Sequence, residues 1–356
     1  MANRRVERLR ELLKQHDLEA LFVTNDVSRR YLSGFTGTSG YLVITMQEAI
    51  LFTDFRYREQ APQQATGYRV VEHQADAGAT IAQTLQEIGV SQIAFEQHDV
   101  SYADYLAYKG KLGIPMVPAE RLVEQLRMVK DEQELERFQL ACDLVDRTYE
   151  HMLTFIRPGM TELAVATELE IYMRKHGADA PSFTTIVASG WRASLPHGTA
   201  TDKVLEEGDF VTLDFGAYMN GYCSDITRTV VLGAATDRHR EIYDLVLEAQ
   251  LLALDQIKPG MTGAEADAIA RDFITKAGYG DQFGHGLGHG LGMEVHEEPR
   301  LSRTGSFVLE PGMVVTVEPG IYIPGFGGVR IEDDAVVTES GLRRLTRSSK
   351  ELHILR

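Results

Sequence analysis

The segment IRPGMTELAVATELEIYMRKHG (Ile156 to Gly177) returns as IKPGMTGAEADAIARDFITKAG (Ile257 to Gly278), 101 residues further along the chain. Each copy offers a Thr as helix N-cap and a Gly to close the helix. A second pair follows downstream: VLEEGDFVTLDFG (Val204 to Gly216) returns as VLEPGMVVTVEPG (Val308 to Gly320), at an offset of 104. A duplication kept only for packing would match apolar positions. Here Asp214 falls on Glu318, a carboxylate inside a strand-like run in both copies. The second part of the chain is therefore expected to hold two half-domains, each a helix hairpin with strands, related by a pseudo-twofold.

Upstream of the repeat, residues 4–17 place Val6, Leu9, Leu12 and Leu13 at helical spacing. Ala20 to Val23, Tyr41 to Thr45, Ala49 to Thr53, Tyr68 to Val71 and Gln92 to Glu96 read as strands, with a helical pattern at Ala79 to Ile88. The expectation is a small α/β domain over residues 1–125, closing near Pro115 to Pro118, and a second domain over residues 126–356, α+β in class overall. The length of 356 residues accommodates both. A charged helix should open the second domain at Asp131, with Glu134 three residues on as the reciprocal cap.

Composition narrows the partners. The apolar share of 44% and charged share of 25% are those of an ordinary globular protein. Against 36 basic residues stand 52 acidic ones, and the net charge of -16 repels phosphate backbones and anionic lipid heads. No nucleic acid and no membrane partner is expected. Cys142 and Cys223 lack CxxC spacing, which fits a reducing compartment. With neither a secretory signal pattern nor a run near the ~18 apolar residues of a membrane span, the reading is a cytoplasmic protein.

In Asp209 to Gly216 the period-2 alternation sets Val211, Leu213 and Phe215 on one face, and Thr212 and Asp214 on the other. Asn220-Gly221 predicts a two-residue hairpin turn that pairs Asp214 with Thr227. Asp225 is then a diagonal neighbour of Asp214, roughly 7 to 8 Å away at most. Two carboxylates that close repel unless a cation or a proton intervenes, or unless one is satisfied by Arg228 or a cap. Glu318 matches Asp214, and Glu332 in GGVRIEDD falls near the match of Asp225 after a three-residue insertion. Between the halves, GHGLGHGLGMEVHEEPR (Gly284 to Arg300) brings in His285, His289 and His296. Three of the eleven histidines within twelve residues, beside four acids, point to metal coordination. No frame of the glycine run gives GxGxxG and no GK[ST] follows, so a nucleotide loop is rejected.

The motifs DFG (Asp214), SDITRT (Asp225), GHGLG (His289), TVEPG (Glu318) and RIED (Glu332) stand in that order. They resemble the pita-bread metallopeptidases of the aminopeptidase P and prolidase branch, and residues 1 to about 125 resemble the creatinase-type N-terminal domain of that group. The resemblance implies two divalent metal ions on Asp214, Asp225, His289, Glu318 and Glu332. Four oxygen ligands and one imidazole favour Mn²⁺ and tolerate Co²⁺, Zn²⁺ or Fe²⁺. It further implies amide hydrolysis, with Glu318 taking the proton of the attacking water. His197 in LPHGT and His296 in VHEEP would line the scissile region, His285 the substrate pocket, and Arg330 would orient a ligand carboxylate. Tyr322 fits a site role or a packing role equally.

The implied substrates are peptides with Pro in the second position. Arg300 in HEEPRLS stands where prolidases carry an Arg that grips the substrate carboxylate, which favours Xaa-Pro dipeptides over the longer peptides of aminopeptidase P. A homodimer is implied as well, with Thr24 to Tyr41 either a loop over an active site or an ordinary turn-rich connection. Inactive pita-bread domains serve as binding modules for protein or RNA; they have usually lost ligands, and all five are present here.

Overall fold

The structure is a computed structural model and describes residues 2–356, with side chains from residue 4 onward. The chain divides into two compact units, Met1–Arg127 and Met128–Arg356. In the first unit α1 (Ala2–Gln15), β1 (Ala20–Val23), α2 (Asp26–Ser33), β2 (Tyr41–Thr45), β3 (Ala49–Thr53), α3 (Gln60–Gln64), β4 (Arg69–Glu72), α4 (Ala77–Glu87), β5 (Ile93–Glu96), α5 (Tyr102–Leu112), β6 (Met116–Ala119) and α6 (Leu122–Met128) follow in order. Six strands form one sheet in the order β4-β3-β2-β1-β5-β6. The inner strands β1 and β5 are buried along their whole length, which is why β1 reads as an unbroken apolar run and β5 as one that ends at Glu96. Phe22, Val43, Ile50 and Phe52 pack with Ile81 and Leu85 of α4.

Two expectations for this unit need correction. Thr24 to Tyr41 is no continuous loop: Asn25 accepts the Ser28 N–H and starts α2, and Gly34 ends it at φ 75. That helix lacked the length for a periodic signal, but its Asn cap and closing Gly were readable. The prolines near residue 115 do not close the domain either; Pro115 precedes and Pro118 lies within β6, an edge strand where a missing N–H costs nothing.

The second unit shows the repeat as architecture. Its elements are α7 (Glu132–Phe155), α8 (Glu162–Lys175), β7 (Ala180–Pro181), β8 (Ile186–Ser189), β9 (Phe210–Phe215), β10 (Ala217–Met219), β11 (Tyr222–Cys223) and β12 (Ile226–Leu232). The second half follows with α9 (Asp237–Gln256), α10 (Gly263–Lys276), β13 (Gly288–Gly290), β14 (Glu297–Leu301), β15 (Val314–Val317), β16 (Gly320–Ile323), β17 (Gly327–Arg330) and β18 (Asp333–Thr338), then β19 (Gly341–Arg344) and β20 (Ile354–Leu355). Asp131 and Glu134 form the reciprocal cap of α7, and Thr161 and Thr262 cap α8 and α10. Thr161 bridges Val204 and Thr262 bridges Val308, the same contact in both halves.

The two larger sheets are β20-β12-β9-β8 and β14-β13-β15-β18-β19, beside the smaller β11-β10-β7 and β16-β17. Val211, Leu213 and Phe215 of β9 face α7 and α8, packing with Val145, Tyr149 and Leu169. In the second half Val315 and Val317 pack with Val246, Ala249 and Ala270 of α9 and α10. Helices thus cover the outer face of each sheet, and the residues that alternate with those apolar positions turn to the opposite face. This is the pita-bread architecture.

The hairpin at Asn220-Gly221 has both residues at positive φ, 54 and 89, and sets Asp214 opposite Thr227. Asp225, however, is not in a continuous strand, because the ladder breaks between Cys223 and Ile226. In the second half the register runs from Val317 opposite Asp333 to Gly320 opposite Arg330, which puts Glu318 in line with Glu332. Glu332 therefore matches Thr227, and the residue that matches Asp225 is Arg330. Counting the insertion from the sequence misplaced that match by two residues.

Candidate metal centre

Each acid owes its place to a backbone device. Asp214 sits inside β9 on the face away from the helices. Asp225 occupies the ladder break, its N–H donating to Asp334 Oδ2 at 2.9 Å. Glu318 follows β15, its N–H donating to the Leu287 carbonyl at 2.8 Å, and the Glu332 N–H donates to the Thr227 carbonyl at 3.1 Å. His289 is the middle residue of β13, flanked by glycines for a steric reason. A Cβ on Gly288 would stand 2.1 Å from the Thr316 carbonyl oxygen, and one on Gly290 2.2 Å from that of Glu298. At Gly288–Gly290 the alternating Gly run is a strand squeezed between its neighbours, with only the His289 side chain free to project.

These side chains converge. His289 Nε2 lies 3.5 Å from Glu318 Oε1 and 3.8 Å from Asp225 Oδ2. Asp225, His289 and Glu332 each offer one ligand atom within 4.8 Å of the others, all three residues being buried. Burial, followed by mutual repulsion, pushes the carboxyls of Asp225 and Glu332 well above the usual range. Burial also raises Glu318 to about 7 and depresses His289 to about 3, leaving its imidazole neutral and able to donate a lone pair. Asp225 Oδ1 is buried without a hydrogen-bond partner. A neutral imidazole, crowded carboxylates and an orphaned oxygen fit hard divalent cations, which relieve that repulsion.

Arg330 ties the acids together. Its guanidinium donates to Asp214 Oδ2, to Thr227 Oγ1 at 3.0 Å and to the Tyr322 hydroxyl at 2.7 Å, while Thr227 Oγ1 donates to Glu332 Oε2 at 2.6 Å. The Tyr322 hydroxyl also bonds His285 Nε2 at 2.8 Å. Tyr322 thus joins the network, beyond any packing role. Thr227 was placed by the hairpin rule without a function, and its position opposite an acid was the available signal. His296 stacks edge-on to His289 with ring centroids 4.4 Å apart, and Arg300 is the cross-strand partner of His289.

A cavity of about 500 Å³ gathers the acids, the histidines and both arginines, with Thr227 and Tyr322 behind its wall. Asp214, Asp225, His289, Glu318 and Glu332 line it together with His197, His285, His296, Arg300 and Arg330. Phe183, Ile186, Pro196 and Val295 supply an apolar wall that sequence reading did not pick out.

Comparison with known proteins gives this constellation its context. Residues 136–339 match the model of metallopeptidase family M24, and residues 5–129 match the creatinase/prolidase N-terminal domain. The chain belongs to metallopeptidase family M24. Over its full length, and that of the other chain, it is similar to a solved Xaa-Pro dipeptidase from Bacillus anthracis, with 51% identity and a TM-score of 0.98. The Xaa-Pro dipeptidase of Pyrococcus furiosus is 39% identical, over 98% of this chain and 99% of its own. A solved X-Pro aminopeptidase from Thermotoga maritima is 40% identical, covering 99% of this chain and 100% of that one, with a TM-score of 0.93. Its relatives thus include both an Xaa-Pro dipeptidase and an X-Pro aminopeptidase.

Proposed function

We propose that this M24 peptidase hydrolyses the peptide bond before proline in Xaa-Pro dipeptides, using two divalent metal ions, Mn²⁺ favoured, held by Asp214, Asp225, His289, Glu318 and Glu332. The observation that carries the reading is the convergence of those five residues with His197, His285, His296 and Arg300 on one cavity. Divalent ions bound there would acidify a water and draw charge from the scissile carbonyl. Glu318 is assigned the proton of the attacking water, and it faces the cavity with Thr316 Oγ1 donating to its Oε1 at 3.2 Å. Arg330 holds Asp214 in place and, through Thr227, Glu332.

His197 and His296 are assigned to the scissile region, and His285, held by Tyr322, to the substrate pocket. The apolar wall of Phe183, Ile186, Pro196 and Val295 suits a pyrrolidine ring and its preceding side chain. Arg300, opposite His289 and lining the same cavity, is assigned the free carboxylate of a dipeptide. Proline gives the bond its distinct chemistry, because the tertiary amide carries no N–H.

Cleavage of longer Xaa-Pro peptides is the second reading, favoured by the likeness to the Thermotoga maritima aminopeptidase. A panel of Xaa-Pro dipeptides and their C-terminally extended forms separates the two. Faster cleavage of dipeptides is expected, and faster cleavage of the extended forms would move the assignment to an aminopeptidase. The same reading assigns residues 1–125 to dimer formation and the enzyme to a cytoplasmic homodimer. The two buried free cysteines fit the reducing compartment of that reading; separately, among the described residues, no helix is long and apolar enough to cross a membrane.

A further inference from the structure

Two loops carry histidines into the cavity from opposite half-domains. One runs from Ser189 to Thr201 with His197, the other from Phe283 to Leu287 with His285. Each is held by a fully buried acid on a helix of its own half, and neither acid was singled out in the sequence.

Glu162, at the start of α8, closes the first loop on a single carboxylate. Its Oε1 accepts the Ser189 N–H at 2.8 Å and the Ser189 hydroxyl at 2.9 Å. Its Oε2 accepts the Thr201 N–H at 3.1 Å and the Thr201 hydroxyl at 2.7 Å. Arg192, inside the loop, donates to Oε2 at 3.0 Å and to the Thr199 carbonyl at 2.6 Å. Both ends of the histidine loop and its middle thus meet at one charge.

Asp267, in α10, does the same for the second loop. Its Oδ1 accepts the Leu287 N–H at 2.9 Å, and its two oxygens take Arg271 at 2.5 and 2.8 Å. Arg271 in turn donates to the carbonyls of Phe283 at 2.9 Å and His285 at 2.6 Å, and its guanidinium lies 4.3 Å above the Phe283 ring.

The clamps are not one feature copied by the duplication. At the repeat offset Glu162 falls on Gly263, where a Cβ would stand 2.0 Å from the Arg300 carbonyl oxygen, so no side chain fits. Asp267 falls on Ala166. The same arrangement is reached from non-matching positions, one helical turn apart. Buried ion pairs contribute little to stability compared with apolar packing of similar volume. What they add is directional grip on backbone N–H and C=O groups, and in both halves the gripped segment carries a cavity histidine.

We propose that Glu162 and Asp267 are positioning residues for substrate binding, Glu162 acting through His197 and Asp267 through His285. The proposal rests on the reading of those two histidines as substrate contacts. Glu162→Gln, Asp267→Asn, His197→Ala, His285→Ala and the four clamp-plus-histidine doubles would be assayed for kcat, KM and metal per chain. Each clamp variant is expected to lose roughly 10- to 100-fold in kcat/KM, as small misplacements do, with metal content unchanged. A double with the clamp's own histidine should fall no further than the histidine variant, whereas a double with the other histidine should multiply the two losses. Wild-type kinetics in the clamp variants, or equal multiplication with both histidines, would overturn the proposal. Where a clamp variant fails to fold, Arg192→Gln and Arg271→Gln enter the same cycles with the same expectations. If His197→Ala and His285→Ala leave kcat/KM untouched while the clamp variants lose activity, the histidine reading is the part that fails and the proposal falls with it.

Discussion

Opposite Asp214 the first half-domain carries Thr227; at the matching step, in line with Glu318, the second carries Glu332. Two residues nearer the hairpin, the first has Asp225 where the second has Arg330. The next matched pair is Arg228 and Asp333. A faithful duplication would bring like groups face to face across the pseudo-twofold. Divergence has made the matched positions complementary instead: Thr227 donates to Glu332, and Arg228 pairs with Asp333 at 2.7 Å with both side chains fully buried. The frame is symmetric, and the centre forms where the symmetry is broken.

The largest effect tests whether both halves act on one centre. Removal of divalent metal by a chelator is expected to abolish turnover, and Mn²⁺ or Co²⁺ to restore it. Hydrolysis persisting in a sample shown by elemental analysis to be metal-free would break the proposal. Asp225→Asn, a change confined to the first half, should cost at least one ion per chain, since an amide is a far weaker ligand than a carboxylate. An unchanged two-ion stoichiometry would mean that the second half suffices.

The next effect is structural. Asp333 accepts from Arg228, Lys350 and Gln250, so its loss strands a fully buried guanidinium. Breaking such a pair costs about 3 to 5 kcal/mol. At 2 to 4 °C per kcal/mol, Asp333→Asn should lower Tm by roughly 6 to 20 °C. Arg228→Met combined with Asp333→Leu should recover much of that, because an apolar pair needs no partner charge. A single variant that melts with the wild type would show that the complementary charges at these matched positions do not hold the halves together.

The repeat, the hairpin register and four carboxylates on one centre were legible because each leaves a periodic or spaced trace: a capped helix twice over, Asn-Gly between alternating strands, and an acid at the same step in both copies. The exchange of Thr227 for Glu332 was not legible. It depends on a ladder whose loop is one residue longer in the second half, and register is a property of pairing between strands. Glu162 and Asp267 escaped for a related reason. A first-turn Glu or a mid-helix Asp is ordinary on a solvated helix, and only burial against distant backbone groups sets these two apart. The short helix α2 was missed because eight residues scarcely establish a period.

The second half also carries a strand that the first lacks. The first sheet ends at β8, while the second continues past β13 to β14, which is preceded by His296. Burial, with Arg300 next, holds His296 below its ordinary pKa. If it donates to the developing oxyanion, His296→Ala should lower kcat by roughly 10² to 10³ with metal content unchanged. Loss of metal in that variant would exchange its role with that of His289.

Arg300 gives the smallest and most discriminating effect, and it too belongs to the added strand. Cross-strand pairing with His289 places it at the cavity, and of the two acids that could pair with it on the surface, Glu297 and Glu298, Glu297 is paired with Lys130 at 3.2 Å. A guanidinium grips a carboxylate through two hydrogen bonds, and in an Xaa-Pro dipeptide the carboxylate of proline is within one residue of the scissile bond. In a longer peptide that group is an amide. A charge-assisted contact contributes roughly 1.5 to 3 kcal/mol, so Arg300→Ala should cost a dipeptide about 10- to 150-fold in kcat/KM and its extended form much less. Were Arg300 only an exposed charge, both substrates would lose the same small factor, in line with the roughly 0 to 1 kcal/mol of surface ion pairs. A wild-type preference for tripeptides, together with unimpaired dipeptide cleavage by Arg300→Ala, would make β14 a scaffold and the enzyme an aminopeptidase; a loss confined to dipeptides would make this unmatched strand the element that measures substrate length.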